Sequence, residues 1–167
     1  MTEHKATRVD DIERVPIGRR PIPELGIQGS VISGVRSVAV LVRDAKRSAK
    51  WYRDKLGFEI VGLEGHTVFV KPKGTSATLI HLCGPCDGWK GDSPGGRTGI
   101  WLSSGKIRVR RDEKTGLLLP SSYPEAVEKT YLELWRKGVD FSEPLTTVEW
   151  GKYAILRDPD GNEFELS

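Results

Sequence analysis

The hydrophobic and polar positions of this chain repeat one pattern twice. Residues 35–42, Val-Arg-Ser-Val-Ala-Val-Leu-Val, are rich in β-branched side chains and predict a strand. Asp44 then stands at an N-cap position. Ala45, Ala49, Tyr52 and Leu56 follow at helical spacing, and Gly57 stops the helix. Stretches 58–61, 67–70 and 77–82 predict three further strands, with Lys71-Pro72-Lys73-Gly74 as the turn between the last two. The order is β-α-β-β-β, and it recurs. Residues 98–103 predict a strand. Ser122 with Glu125, and Pro124 in the first turn, predicts a capping box. Val127, Tyr131, Leu134 and Trp135 form the apolar face of a second helix, which Gly138 ends. Residues 139–141 predict a strand, and 153–156 with 162–166 predict a closing hairpin around Asp158-Pro159-Asp160-Gly161. In its last arm Phe164 and Leu166 share one face, and Glu163 and Glu165 the other.

The two copies match in detail. Gly74 and Gly161 are as far apart as His66 and Tyr153, so turns and strand starts superpose along the sequence. An internal duplication of this kind predicts two tandem βαβββ modules in an α+β fold. Residues 35–82 form the first module and 98–167 the second, joined by a Gly-rich connector at 83–97. Residues 104–121 break the symmetry as an inserted hairpin with a basic face, through Lys106, Arg108 and Arg110. Residues 1–34 differ in kind. They are charged, then rich in Pro and Gly, and predict an extended or disordered arm whose charges balance.

Composition narrows the function classes. With 37% hydrophobic and 29% charged residues, the 167-residue chain is that of a globular protein, long enough for one sizeable core or two small fused modules. A formal net charge of +3 is too small to signal binding to nucleic acid through bulk charge. No apolar run reaches membrane-spanning length, and the N-terminus shows no secretory apolar segment, so a cytoplasmic location is expected. Cys83-Gly84-Pro85-Cys86 spells a redox motif, but the Gly- and Pro-rich residues after it cannot supply the helix N-terminus that activates such a thiol. The motif reads as a turn in the connector.

Residues 37–62, together with Lys137-Gly138-Val139-Asp140-Phe141, Trp150-Gly151 and 158–166, resemble the vicinal oxygen chelate superfamily. That group includes glyoxalase I, the bleomycin resistance proteins and the extradiol dioxygenases. The resemblance covers residues from about 35 to 167. It implies two modules forming an open, U-shaped, barrel-like sheet around a small-molecule cleft, in a homodimer. It also implies four inner-strand positions that hold a divalent metal in the family's enzymes. One at a time, they fall on Ser37, on Thr78 by counting from the turn glycines, on Gly99 and on Glu165. An odd count from Thr78 puts His81 on the other face of its strand. Only Glu165 is a good ligand, with His81 as a weak second, so no complete metal site and no cofactor is expected.

The remaining cleft candidates are Trp101, Ser103, Trp150, Tyr153, Arg97 and His66, with His66 as a candidate base beside Glu165. Two functions stand. One is a protein that holds a small organic molecule in an aromatic cleft without metal, contacted by Ser37, Thr78, Trp101, Ser103, Trp150 and Tyr153. The other is a metal-assisted lyase, isomerase or dioxygenase-type enzyme with Glu165 as ligand or base. Neither requires a nucleic acid or a membrane.

Overall fold

The computed structural model describes residues 35–75, 77–85, 93–106, 108–111, 116 and 118–167. The N-terminal arm at 1–34 and Cys86 lie outside the described residues. The first module runs β1 (Ser37–Leu41), α1 (Ala45–Leu56), β2 (Phe58–Glu64), β3 (Thr67–Pro72) and β4 (Leu79–Cys83). Its sheet has the order β1-β4-β3-β2, with β1 parallel to β4 and the other pairs antiparallel. The second module begins with β5 (Gly96–Leu102). The inserted strands β6 (Arg108–Arg111) and β7 (Leu118–Ser121) pair antiparallel with each other. After them come α2 (Pro124–Arg136), β8 (Asp140–Val148), β9 (Gly151–Arg157) and β10 (Asn162–Leu166), giving the order β5-β10-β9-β8 with β5 parallel to β10. The fold is α+β with two βαβββ modules. The two four-stranded sheets stay separate and do not close into a barrel.

Local chemistry explains the elements. Asp44 accepts a hydrogen bond from the Arg47 amide at the start of α1. Gly57 ends the helix in the left-handed region (φ 72°), its N–H donating to the Arg53 carbonyl. At α2 the expected capping box does not form. The N-cap is Tyr123, no side chain caps the helix, and Ser122 Oγ instead accepts from the Ser104 amide and donates to the Ser167 carbonyl. Trp135, expected on the buried face, is 61% exposed, while Val127 and Leu134 are buried. Strand β8 runs well beyond the predicted 139–141 and carries Pro144. It is an edge strand of its sheet, where a missing amide hydrogen is tolerated.

One apolar core lies under both sheets. It joins Val40, Val42, Ala49, Tyr52, Val70, Ile80 and Leu82 of the first module to Val127, Leu134, Leu156, Phe164 and Leu166 of the second. The Tyr52 and Phe164 rings meet edge to face, centroids 6.0 Å apart.

The modules are also joined by a polar clasp, which sequence reasoning took for turn chemistry alone. The turn Asp158-Pro159-Asp160-Gly161-Asn162 docks against α1. Buried Asp158 accepts hydrogen bonds from Tyr52 Oη (2.9 Å), from the amides of Asp160 and Asn162, and from Asn162 Nδ2. Buried Asp160 accepts from Ser48 Oγ (2.6 Å), from the Arg43 amide, and from the guanidinium groups of Arg43 and Arg47. Asn162 Nδ2 also donates to the Leu41 carbonyl, tying β10 to the end of β1. Burial, reinforced by Asp158, pushes the Tyr52 hydroxyl pKa well above the ordinary phenol range, so it stays a donor.

Candidate functional site

In each sheet the strand alternation sends one set of side chains to the core and the other to the opposite, open face. On β10, Phe164 and Leu166 go to the core, and Glu163 and Glu165 to the open face. Register then assembles two rows across the second sheet. The first is Arg97, Glu163, Arg157 and Asp140, alternating in sign. Arg157 bridges Glu163 (3.1 Å) and Asp140 (3.7 Å). The second row is Trp101, Glu165, Ile155 and Glu143. Arg97 reaches diagonally to Glu143, and Tyr153 Oη donates to the same carboxylate (3.1 Å). That bond, first among its causes, raises the Tyr153 pKa. Trp150, in the β8–β9 turn, stacks on Tyr153 with centroids 5.7 Å apart and planes 25° apart.

The Trp101–Glu165 juxtaposition depends on a β-bulge. Between Glu163 and Glu165 the pairing on β5 jumps from Arg97 to Trp101. Gly99 makes this possible in the left-handed region (φ 70°), and Thr98 Oγ1 closes the bulge by donating to the Glu163 carbonyl. The position beside Glu165, counted in sequence as Gly99, is therefore filled by an indole that is 64% exposed.

On the first sheet, Ser37 and His81 share the open face. Ser37 Oγ and His81 Nδ1 are 3.1 Å apart, and the Phe69 ring lies 5.8 Å from the imidazole. Ile80 and Leu82 take the core side of β4, so His81 faces with Ser37, contrary to the count from Thr78. Thr78 precedes β4, is exposed, and donates to the Val35 carbonyl. Ser103 lies exposed just past β5. His66 sits in the β2–β3 turn, where its carbonyl accepts from the Gly84 amide. It lines a separate cavity of about 260 Å³ with Arg43, Lys46 and Leu63, away from the Glu165 row. Cys83 is buried with a free thiol. Sequence reasoning put Glu163 with Glu165 on one face of β10 but missed Glu143 and Arg157 as members of that face. For Arg157 the signal was its opposite charge across the hairpin from Glu163.

Glu165 is the outlier of this lattice. Glu163 is held below the ordinary carboxylate range by a hydrogen bond from Ser142 and then by Arg157. Glu165 is pushed above that range, chiefly by burial and further by Glu143, against the opposing charge of Arg97 and a hydrogen bond with Ser167, and its Oε1 is covered without a hydrogen-bond partner. A carboxyl whose folded pKa is raised weakens the fold once it ionises. The handicap is absent below the unfolded-chain pKa, near pH 4, and is complete above the folded pKa. Glu165→Gln is therefore expected to stabilise the protein at pH 7.5 by about a few tenths of a kcal/mol, since solvent still screens a partly buried group. The gain should vanish near pH 4. Urea midpoints of both proteins at the two pH values check this, and an equal difference at both would show that ionisation is not its source.

The ligand positions implied by the resemblance do not suit a divalent metal. Ser37 is a neutral hydroxyl bonded to His81, Thr78 points to a backbone carbonyl, and the indole of Trp101 offers no donor pair beside Glu165. Among the described residues, no three His, Cys, Asp or Glu side chains gather where they could hold an ion.

Comparison with known proteins bears on the fold and the family. A crystal structure of a glyoxalase/bleomycin resistance protein/dioxygenase superfamily member from Sphaerobacter thermophilus is 30% identical. The match covers 81% of this chain and 96% of that one, with a TM-score of 0.60. TnmS3, an antibiotic binding protein from Streptomyces sp. CB03234, is 25% identical over 83% of this chain and 98% of its own, with a TM-score of 0.58. The Bacillus subtilis protein YetH is 24% identical over 141 residues, 81% of this chain and 98% of that protein. Residues 34–166 match the sequence profile of one family. With two βαβββ modules in two open sheets, the chain belongs to the Glyoxalase/Bleomycin resistance protein/Dioxygenase superfamily.

Proposed function

We propose that this protein binds a small, planar organic molecule on the open face of its second sheet, without a metal ion. The observation that carries this reading is the exposed indole of Trp101 directly beside Glu165, in the row where the family's enzymes place metal ligands. The stacked Trp150–Tyr153 pair adds a second flat surface, with Trp150 41% exposed. The resemblance to an antibiotic binding protein supports the same reading. A neutral flat probe, 9-(hydroxymethyl)anthracene, tests it by fluorescence titration. Trp101→Ala is expected to weaken binding about tenfold or more, as for a buried aromatic anchor. Protein purified without chelator should carry far less than one equivalent of metal, and EDTA should leave the titration unchanged. Stoichiometric metal that Glu165→Gln removes would defeat the metal-free reading.

The raised pKa and unpaired Oε1 of Glu165 favour a second reading, in which this carboxylate takes a proton from a bound substrate. Turnover of the bound compound, abolished in Glu165→Gln while binding persists, would establish it.

A further inference from the structure

The rows around Glu165 hold two cations, Arg97 and Arg157, and four carboxylates, Asp140, Glu143, Glu163 and Glu165. Both guanidinium groups are already committed. Arg157 bridges Asp140 and Glu163. Arg97 binds Glu143 and lies 3.9 Å from Glu163. No ion pair with a cationic side chain reaches Glu165 among the described residues, and its Oε1 is covered yet receives no hydrogen bond. A covered carboxylate oxygen without a donor is costly, and the cost persists until a donor arrives. The neighbour across the ladder, Trp101, presents a mostly exposed indole, whose face attracts positive charge as readily as it stacks on a flat ring.

We infer that the ligand of this face is a cation, a planar aromatic body bearing a protonated amine, whose N–H group pairs with Glu165 while its ring lies on Trp101. The inference rests on the aromatic-face reading above and adds the sign of the ligand's charge. Glu165 feels the charge of Arg97 and has a hydrogen bond with Ser167, but no guanidinium pairs with it directly and its Oε1 stays without a donor, so it is the carboxylate of the lattice with room for a cationic partner. Glu143 and Glu163 are not available in this way, because their oxygens are held by Arg97, Arg157 and the Tyr153 hydroxyl. An anionic ligand would meet the excess carboxylate charge without a free guanidinium to receive it.

Three probes with one ring system separate charge from stacking: 9-(aminomethyl)anthracene, 9-(hydroxymethyl)anthracene and anthracene-9-carboxylate. At pH 7.5 they carry a positive, zero and negative charge. Fluorescence titration of the full chain should rank them in that order, with the amine binding about 10- to 100-fold more tightly than the alcohol. Glu165→Gln should bring the amine down to the affinity of the alcohol, and the urea midpoint of the variant at pH 7.5 reports that it is folded. Equal binding of amine and alcohol, or a preference for the amine that survives Glu165→Gln, overturns the charge inference and leaves the aromatic face standing. Failure of all three probes to bind overturns both. Should Glu165→Gln lose the alcohol too, salt decides with wild-type protein. Raising NaCl tenfold should weaken the amine and spare the alcohol, and no difference between them refutes the inference.

Discussion

Asp158→Ala is expected to cost about 3–5 kcal/mol of stability, the scale for removing one partner of a buried polar network. For a chain of this size that corresponds to a fall in Tm of roughly 8–15 °C. The reason lies in the clasp. Asp158 is buried and accepts four hydrogen bonds, one of them from Tyr52 Oη on the other module. Alanine strands all four donors, and the buried Tyr52 hydroxyl has no solvent to turn to. The partner change Tyr52→Phe removes one donor and should cost only about 1–2 kcal/mol. The two losses should not add in the double variant, since the shared hydrogen bond is lost once. Urea denaturation of the four proteins measures this. A loss below about 1 kcal/mol for Asp158→Ala would mean that apolar packing alone joins the modules.

Phe164→Ala carries the second large effect, also about 3–5 kcal/mol. The ring is fully buried, meets Tyr52 edge to face, and belongs to the core that both sheets share. Its removal leaves a cavity between the modules that neither can close without moving the other. The contrast with the next residue makes the prediction sharp. Glu165→Gln, one position along β10, should stabilise slightly at neutral pH. Two neighbours with opposite signs are what a strand facing the core on one side and a polar lattice on the other requires. Denaturation midpoints that fell similarly for both variants would refute this orientation of β10.

Much of this was legible in the residues themselves. Helix α1 announces itself through Asp44, the spacing from Ala45 to Leu56, and Gly57. The alternation of Phe164 and Leu166 with Glu163 and Glu165 gave the faces of β10. What escaped depended on pairing between distant segments. Gly99 was counted into the ladder beside Glu165, but a bulge moves Trp101 there, and bulges leave only a glycine as their mark. Thr78 was counted into β4, which begins one residue later, and this error of parity sent His81 to the wrong face. Pro144 hid the length of β8, because a proline argues against a strand unless the strand is known to be an edge. Asp158 and Asp160 looked like turn residues because their partners, Tyr52 and Ser48, lie more than 100 positions away in the chain.

The bulge at Gly99 has a consequence for how such a scaffold diversifies. In an uninterrupted ladder the residue beside Glu165 would be Gly99, which has no side chain to offer. Two extra positions in one strand replace that gap with a large aromatic surface, while the strand beyond rejoins the sheet at the Leu102–Leu166 pair. A change in strand length at this point therefore exchanges the chemistry next to the carboxylate. Insertions and deletions here, more than point substitutions, offer descendants of this fold a direct route to new specificities.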